Sequence, residues 1–208
     1  MCGIAGLFHG ESLGQRESEL REVARRMADA IAHRGPDDAG VWVDAAAGLA
    51  LAHRRLSIID LSAAGHQPMG SASGRYQIVF NGEIYNFRAL RARLERGGVA
   101  FRGHSDTEVL LAAIEAWGLE AALAEANGMF AFALWDRTAR TLTLARDRVG
   151  KKPLYYGWCG RALAFGSELK ALFAIPGFKP EVERGALQSM LRFNYVPSPW
   201  SILQGVFK

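Results

Sequence analysis

Cysteine is scarce in this chain: 208 residues contain only Cys2 and Cys159. Two thiols build no disulfide framework, so a reducing compartment, the cytoplasm, is expected. The five histidines (His9, His33, His53, His66, His104) are scattered, and no CxxC pair or Cys/His cluster is present. No metal site is therefore expected. No apolar run approaches the roughly 20 residues that cross a bilayer. "CGIAGLF" is too short for a signal core and has no basic flank, and a lipid-modified cysteine would need a cleavable segment upstream of Cys2. No membrane partner is expected. The net charge is only +4, and in "SELREVARRM" and "LRARLERGG" arginines alternate with acids as on solvated helix faces, so nucleic acid is not an expected partner either. "RVGKKP" lacks the leading glycine and trailing Ser/Thr of a phosphate-binding loop. There are no internal repeats. What is present is an ordinary globular balance, 50% hydrophobic and 22% charged, in a length that supports one sizeable core or one domain and the start of another.

The patterning predicts an α+β chain. "SELREVARRMADAIA" has helical period, with Leu20, Val23, Met27, Ala30 and Ile31 on one stripe. His33 and Arg34 fall near its C-terminus, Gly35 suits the C′ position and Pro36 blocks continuation. "GVWVD", "LALAH", "LSIID" and "YQIVF" read as short strands. "NFRALRARLERGG" and "SDTEVLLAAIEAWG" read as helices. "MFAFALWD", "TLTLARD", "PLYYGW" and "ALAFG" then follow as strands joined by polar turns, before the helices "SELKALFA" and "VERGALQSMLRF". The last stretch, "YVPSPWSILQGVFK", has no closing element and reads as the middle of something longer. The strands are many, short and hairpin-connected, which favours antiparallel sheets with helices beside them over alternating βαβ units.

Four short stretches can carry chemistry. Cys2 follows the initiator methionine. Were Met1 removed, one residue would hold both a thiol and a free amine of reference pKa near 7.7–8.0, an N-terminal nucleophile with its own base. The plain alternative is a buried cysteine acting as a small hydrophobe. In "VFNGEIYN", Asn-Gly reads as a turn. Helical period follows, so the turn is expected to end a strand and lead into a helix with Asn86 as N-cap. The Asn81 amide and the Gly82 N–H could then meet at one oxygen as an oxyanion hole. In "SDTE", Ser105 and Glu108 form a capping box, leaving Asp106 as a spare carboxylate for a ligand ammonium. In "HRRLSIID", Arg54 and Arg55 are either exposed or a bidentate clamp for a carboxylate. A thiol, an oxyanion hole, an anion and a cationic fork together suit an α-amino acid with a carbonyl on its side chain.

"MCGIAGLF", "HRGPDDAG", "AHRRLSIID", "FNGEIYNF", "SDTEVLL", "NGMFAFALWD" and "RDRVGKKPLYYG" together resemble the N-terminal glutaminase domain of glutamine-hydrolysing asparagine synthetases, class II glutamine amidotransferases of the N-terminal nucleophile hydrolase type. The resemblance runs from Cys2 to about Ala174. It implies a four-layer αββα sandwich of two mostly antiparallel sheets between helices. It also implies that Cys2 attacks the glutamine side-chain amide, with Asn81 and Gly82 as the oxyanion donors. Arg55 would hold the substrate α-carboxylate, the backbone of Leu56, Ser57, Ile58 and Ile59 would line the pocket, and Glu83 and Asp106 would surround the α-amino group. Residues 1–180 would form the glutaminase domain. Residues 181–208 would be a linker and the truncated start of a synthetase domain, whose "SGGLDS"-like loop this chain does not contain. The glutaminase would need no cofactor and no metal. ATP and Mg would belong to that second domain, which would make asparagine from aspartate. Glutamine and the synthetase domain would be the partners, with a second copy of the chain as a candidate for a homodimer. Two alternatives stay open: a relative that amidates another acceptor, such as a polysaccharide sugar, and a non-catalytic module of the same fold.

Overall fold

Short apolar runs assemble into two antiparallel sheets. They are seen in a computed structural model that describes residues 1–11 and 16–208. The strands are β1 (Gly3–Phe8), β2 (Asp38–Asp44), β3 (Leu49–Arg55), β4 (Met69–Gly70), β5 (Tyr76–Ile84), β6 (Gly128–Asp136), β7 (Thr141–Arg146), β8 (Tyr155–Cys159), β9 (Ala162–Gly166) and β10 (Val206–Phe207). The helices are α1 (Glu17–Asp29), α2 (Phe87–Arg96), α3 (Asp106–Trp117), α4 (Leu119–Glu125), α5 (Leu169–Phe173) and α6 (Arg184–Phe193). One sheet has the order β10-β8-β9-β1-β3-β2 and the other β4-β5-β6-β7.

Strand alternation sorts the side chains into three apolar layers. Leu49 and Leu51 of β3 point inward with Ile4, Val79, Trp135 and Phe165, and these join the two sheets face to face. Ala50 and Ala52 of β3 point outward, where their small size lets α1 approach with Leu20, Ala24 and Met27. On the other sheet Ile78, Phe80 and Ile84 face outward and pack on Leu90, Val109, Leu110 and Ile114 of α2 and α3. Each large side chain buried this way contributes about 1.5–3 kcal/mol of transfer free energy. The result is the four-layer αββα sandwich, an α+β fold.

Several local expectations are corrected by tertiary contacts. "LSIID" is not a strand. β3 ends at Arg55, because Leu56 turns to meet Cys2 and the Asp60 carboxylate gathers the N–H groups of Ser62 and His104. Asn81-Gly82 is not a turn. β5 runs straight through it to Ile84, paired residue by residue with β6, and Gly82 lies opposite Phe130. Asn86 stands at the N-cap of α2 without capping it, since its amide instead bonds Glu125 O and Asn127 N. The capping box is half formed. Ser105 accepts from Glu108 N, but the Glu108 carboxylate turns to the N–H groups of Arg102 and Gly103. α1 stops at Asp29, and His33 and Arg34 lie in a separate 3-10 turn. Gly35 there is extended rather than left-handed; a Cβ on it would overlap the backbone of Arg54 and Arg55. The final stretch does carry an element. β10 pairs with β8 at the sheet edge, and Leu203 and Val206 are buried against the α1 side of the core. Phe193, Tyr195 and Trp200 remain at least half exposed.

Candidate active site

Alternation along β1, β3 and β5 also builds a polar end to the inter-sheet layer. Gly3 pairs with Arg54, so Cys2 continues β1 toward Arg55, both on the inward side. The half-buried Cys2 Sγ lies 3.4 Å from the Leu56 N–H, which donates to it, and 3.6 Å from the Leu56 carbonyl. Burial pushes the thiol above its ordinary range. The Leu56 N–H, the terminal amine and Arg55 pull it down, and Asp106 raises it. The Cys2 carbonyl accepts a 2.9 Å bond from Arg34 Nε, and Glu168 holds the same guanidinium at 3.0 Å. Burial opposes ionisation of Glu168, but bonds from Arg34, Lys170 and His33 outweigh it and hold the carboxyl at about 2.

The two arginines of "HRR" part company. Arg54 points outward and bonds Asp29 and the Ala28 carbonyl on α1. Arg55 points inward, buried, and donates to the carbonyls of Ser62 and Asp60. Of the two, only Arg55 lines the cleft. Gly65 lies flat against it, and a Cβ there would strike the guanidinium. Asp60 keeps this loop wound. Burial opposes its charge, yet the Ser62 hydroxyl, the His104 and Ser62 N–H groups and Arg55 hold its carboxyl at about 2.

β4 pairs only with Gln77 and Ile78, so beyond them the edge of β5 is open. Its groups are claimed singly. Phe80 N donates to Gln67 Oε1 at 2.6 Å, Phe80 O accepts from His53 Nε2 at 3.0 Å, and Ile84 N donates to Asp106 Oδ2 at 2.9 Å. By strand alternation the Gly82 N–H emerges on the same edge, between the last two. Only glycine fits there, because a Cβ would overlap the backbone of Met129 and Phe130 on β6. Asn81 points inward, 1% exposed, and its Nδ2 has no hydrogen-bond acceptor. A buried donor without an acceptor is uncommon and requires an explanation. His53 is fully buried and held neutral, its pKa down at about 4 through burial despite the bond to Phe80 O. The Asp106 carboxylate is partly engaged by backbone. It is buried and also accepts from Thr107 N at 3.0 Å. Burial raises its carboxyl, the Ile84 and Thr107 N–H groups oppose this, and Glu83 adds to it.

Apart from Arg54, every residue singled out from the sequence for catalysis or substrate binding lines one cleft of about 480 Å³. Ser57 is pinned by its N–H to Asp37 at 2.8 Å, while Ile58 and Ile59 are exposed at the rim and Glu83 is exposed beside Asp106. The volume suits a small polar metabolite. Sequence reasoning assigned no role to Arg34, His53 or Lys152. All three lie in quoted motifs, "HRGPDDAG", "AHRRLSIID" and "RDRVGKKPLYYG", but nothing in one dimension shows that Arg34 reaches Cys2, that His53 reaches Phe80 or that Lys152 is buried in the cleft. Among the described residues, no group of three or more His, Cys, Asp and Glu side chains is placed to hold a metal ion, and no helix is long and apolar enough to cross a membrane.

Known proteins resemble this chain in sequence and in fold. The chain is 42% identical over 199 residues to asparagine synthetase [glutamine-hydrolyzing] 1 of Bacillus subtilis, covering 96% of this chain and 30% of that protein. It is 38% identical over 210 residues to asparagine synthetase [glutamine-hydrolyzing] 3 of the same organism, covering 100% of this chain and 33% of that protein. The chain therefore spans about a third of the length of these relatives. The fold is shared with glutamine phosphoribosylpyrophosphate amidotransferase from B. subtilis, at a TM-score of 0.71 and 23% identity over 88% of this chain and 45% of that one. The family described as the glutamine amidotransferase domain matches residues 1–208, and the chain belongs to that family.

Proposed function

We propose that Cys2, freed of Met1, hydrolyses the side-chain amide of glutamine through a thioester. The observation that carries this is that the Cys2 thiol and the acceptor-less Asn81 amide line one cleft, which also holds a buried arginine and a buried carboxylate. Arg55 binds the glutamine α-carboxylate, and Asp106 with Glu83 binds the α-ammonium. The Cys2 amine takes the thiol proton, and Sγ attacks the amide carbon. The carbonyl oxygen, now negative, is held by Asn81 Nδ2 and the Gly82 N–H. Return of the proton to nitrogen expels ammonia and leaves the thioester. Water, deprotonated by the same amine, then releases glutamate and the thiol.

Arg34 fixes the Cys2 carbonyl, and with it the direction of the thiol. The relatives are three times longer and are named for asparagine synthesis, which supports a role for this glutaminase as the ammonia source for ATP- and Mg-dependent amidation of aspartate. That synthetase unit would begin near residue 181 and dock back through β10. The test is mass spectrometry of the purified protein together with glutamate and ammonia assays. Loss of Met1 and equimolar products without ATP are expected, with no turnover by Cys2→Ala. Full turnover by a protein that retains Met1, or by Cys2→Ala, would overturn the mechanism.

A further inference from the structure

Lys152 is 6% exposed and lines the same cleft. Its ammonium has a single side-chain acceptor among the described residues, the Met1 thioether, with Nζ 3.4 Å from Sδ. The backbone around it is wound tightly. The Asp147 carboxylate accepts the N–H groups of Phe130, Val149, Lys151 and Lys152, and Arg146 donates to the carbonyls of Gly150 and Lys152. A buried cation with one soft acceptor costs folding free energy, and such departures from good packing chemistry concentrate at functional sites. Removal of Met1 takes away even that acceptor. Met1 is joined through its carbonyl to the Cys2 nitrogen, so Nζ lies no farther from the nitrogen that becomes the amine than the reach of one methionine residue plus the 3.4 Å contact.

We propose that Lys152 is a positioning residue for the nucleophile: its ammonium, left without an acceptor when Met1 leaves, faces the Cys2 amine and thiol, disfavours the protonated amine and favours the thiolate. This rests on the glutaminase reading above. The other charged groups at this point are Arg34, which holds the Cys2 carbonyl and is paired with Glu168, Arg55 from β3, which acts in the same sense but is engaged by the Asp60 and Ser62 carbonyls, and Asp106 from α3, which opposes it. Asp60, Glu83 and Lys151 line the same cleft. Among the described residues, Lys152 is the buried cation of this cleft that no carboxylate or backbone carbonyl claims.

The experiment uses mature protein of verified mass and the variants Lys152→Met, Lys152→Gln and Lys151→Met. Alkylation of Cys2 by iodoacetamide, followed by mass spectrometry against pH, reports the thiol without requiring turnover; kcat/KM for glutamine is profiled in parallel. Loss of the charge at 152 should move the alkylation midpoint and the acid limb of kcat/KM upward by about 0.5–1.5 pH units, and slow alkylation at neutral pH about 3- to 30-fold. The same loss at the exposed neighbour, Lys151→Met, should move them by no more than about 0.2 units. Melting temperatures of the 152 variants should equal or exceed that of the parent. Profiles that superimpose on the parent's, or an equal shift from Lys151→Met, would overturn the proposal. An alkylation shift in a protein that does not hydrolyse glutamine would support it while sinking the glutaminase reading. Unchanged alkylation with normal turnover would sink the proposal alone.

Discussion

Asn81→Leu should move folding and catalysis in opposite directions. The side chain is 1% exposed, and its Nδ2 lies without an acceptor at the inward face of β5. Leucine has the same branched shape, so the change leaves no large cavity. It removes an uncompensated buried donor, whose desolvation costs about 1–3 kcal/mol. The variant should therefore be more stable by that order, and in a chain of this length each kcal/mol raises Tm by about 2–4 °C. In the reaction the same donor meets the developing oxyanion. Losing it should lower kcat about 10²–10³-fold, equivalent to about 2.7–4 kcal/mol of transition-state stabilisation, with KM little changed. Calorimetry and a coupled glutamate assay on the same preparation read both signs. A variant that turns over within about threefold of the parent would refute the oxyanion role. A lower Tm would show that the amide is satisfied in the folded chain and that its isolation is not the reason it is there.

Two further outcomes test the surroundings. Gly65→Ala should displace the Arg55 guanidinium by steric contact alone and raise KM about 10- to 100-fold, the worth of one charged hydrogen bond, with kcat nearly kept; an unchanged KM would remove Arg55 from substrate binding. His53 is held at about 4 in the fold against an ordinary 6.5, so on acidification the unfolded chain takes up this proton first. That contribution to stability is complete above pH 6.5 and about 3 kcal/mol is lost by pH 4, below which the depressed carboxylates Asp60 and Glu168 take over. His53→Gln should flatten urea midpoints between those limits, and equal slopes in parent and variant would disprove it.

Period and composition determined much of this protein. Two-residue alternation in "LALAH" and "YQIVF" and 3.6-residue recurrence in "SELREVARRM" are backbone geometry written into side-chain order, so most elements and both faces of each sheet follow from them. Cys2, Arg55, Asn81, Gly82 and Asp106 could be singled out as candidates because their functional groups are rare in those combinations, and the fold sets them around one cleft. Tertiary structure alone decided the rest. Asn-Gly, a turn by local preference, became mid-strand because β6 pairs along its whole length and leaves room only for hydrogen at Gly82. "LSIID" left the sheet because Asp60 and Arg55 tie its backbone to side chains rather than to a neighbouring strand. The choice between Arg54 and Arg55 was made by strand parity, which needs the register of β3 on β1. Arg34 and Lys152 reach Cys2 and Met1 across 32 and 151 positions. Contacts at such separations arise only when two sheets and their helices close around one core, and no local pattern of residues encodes them.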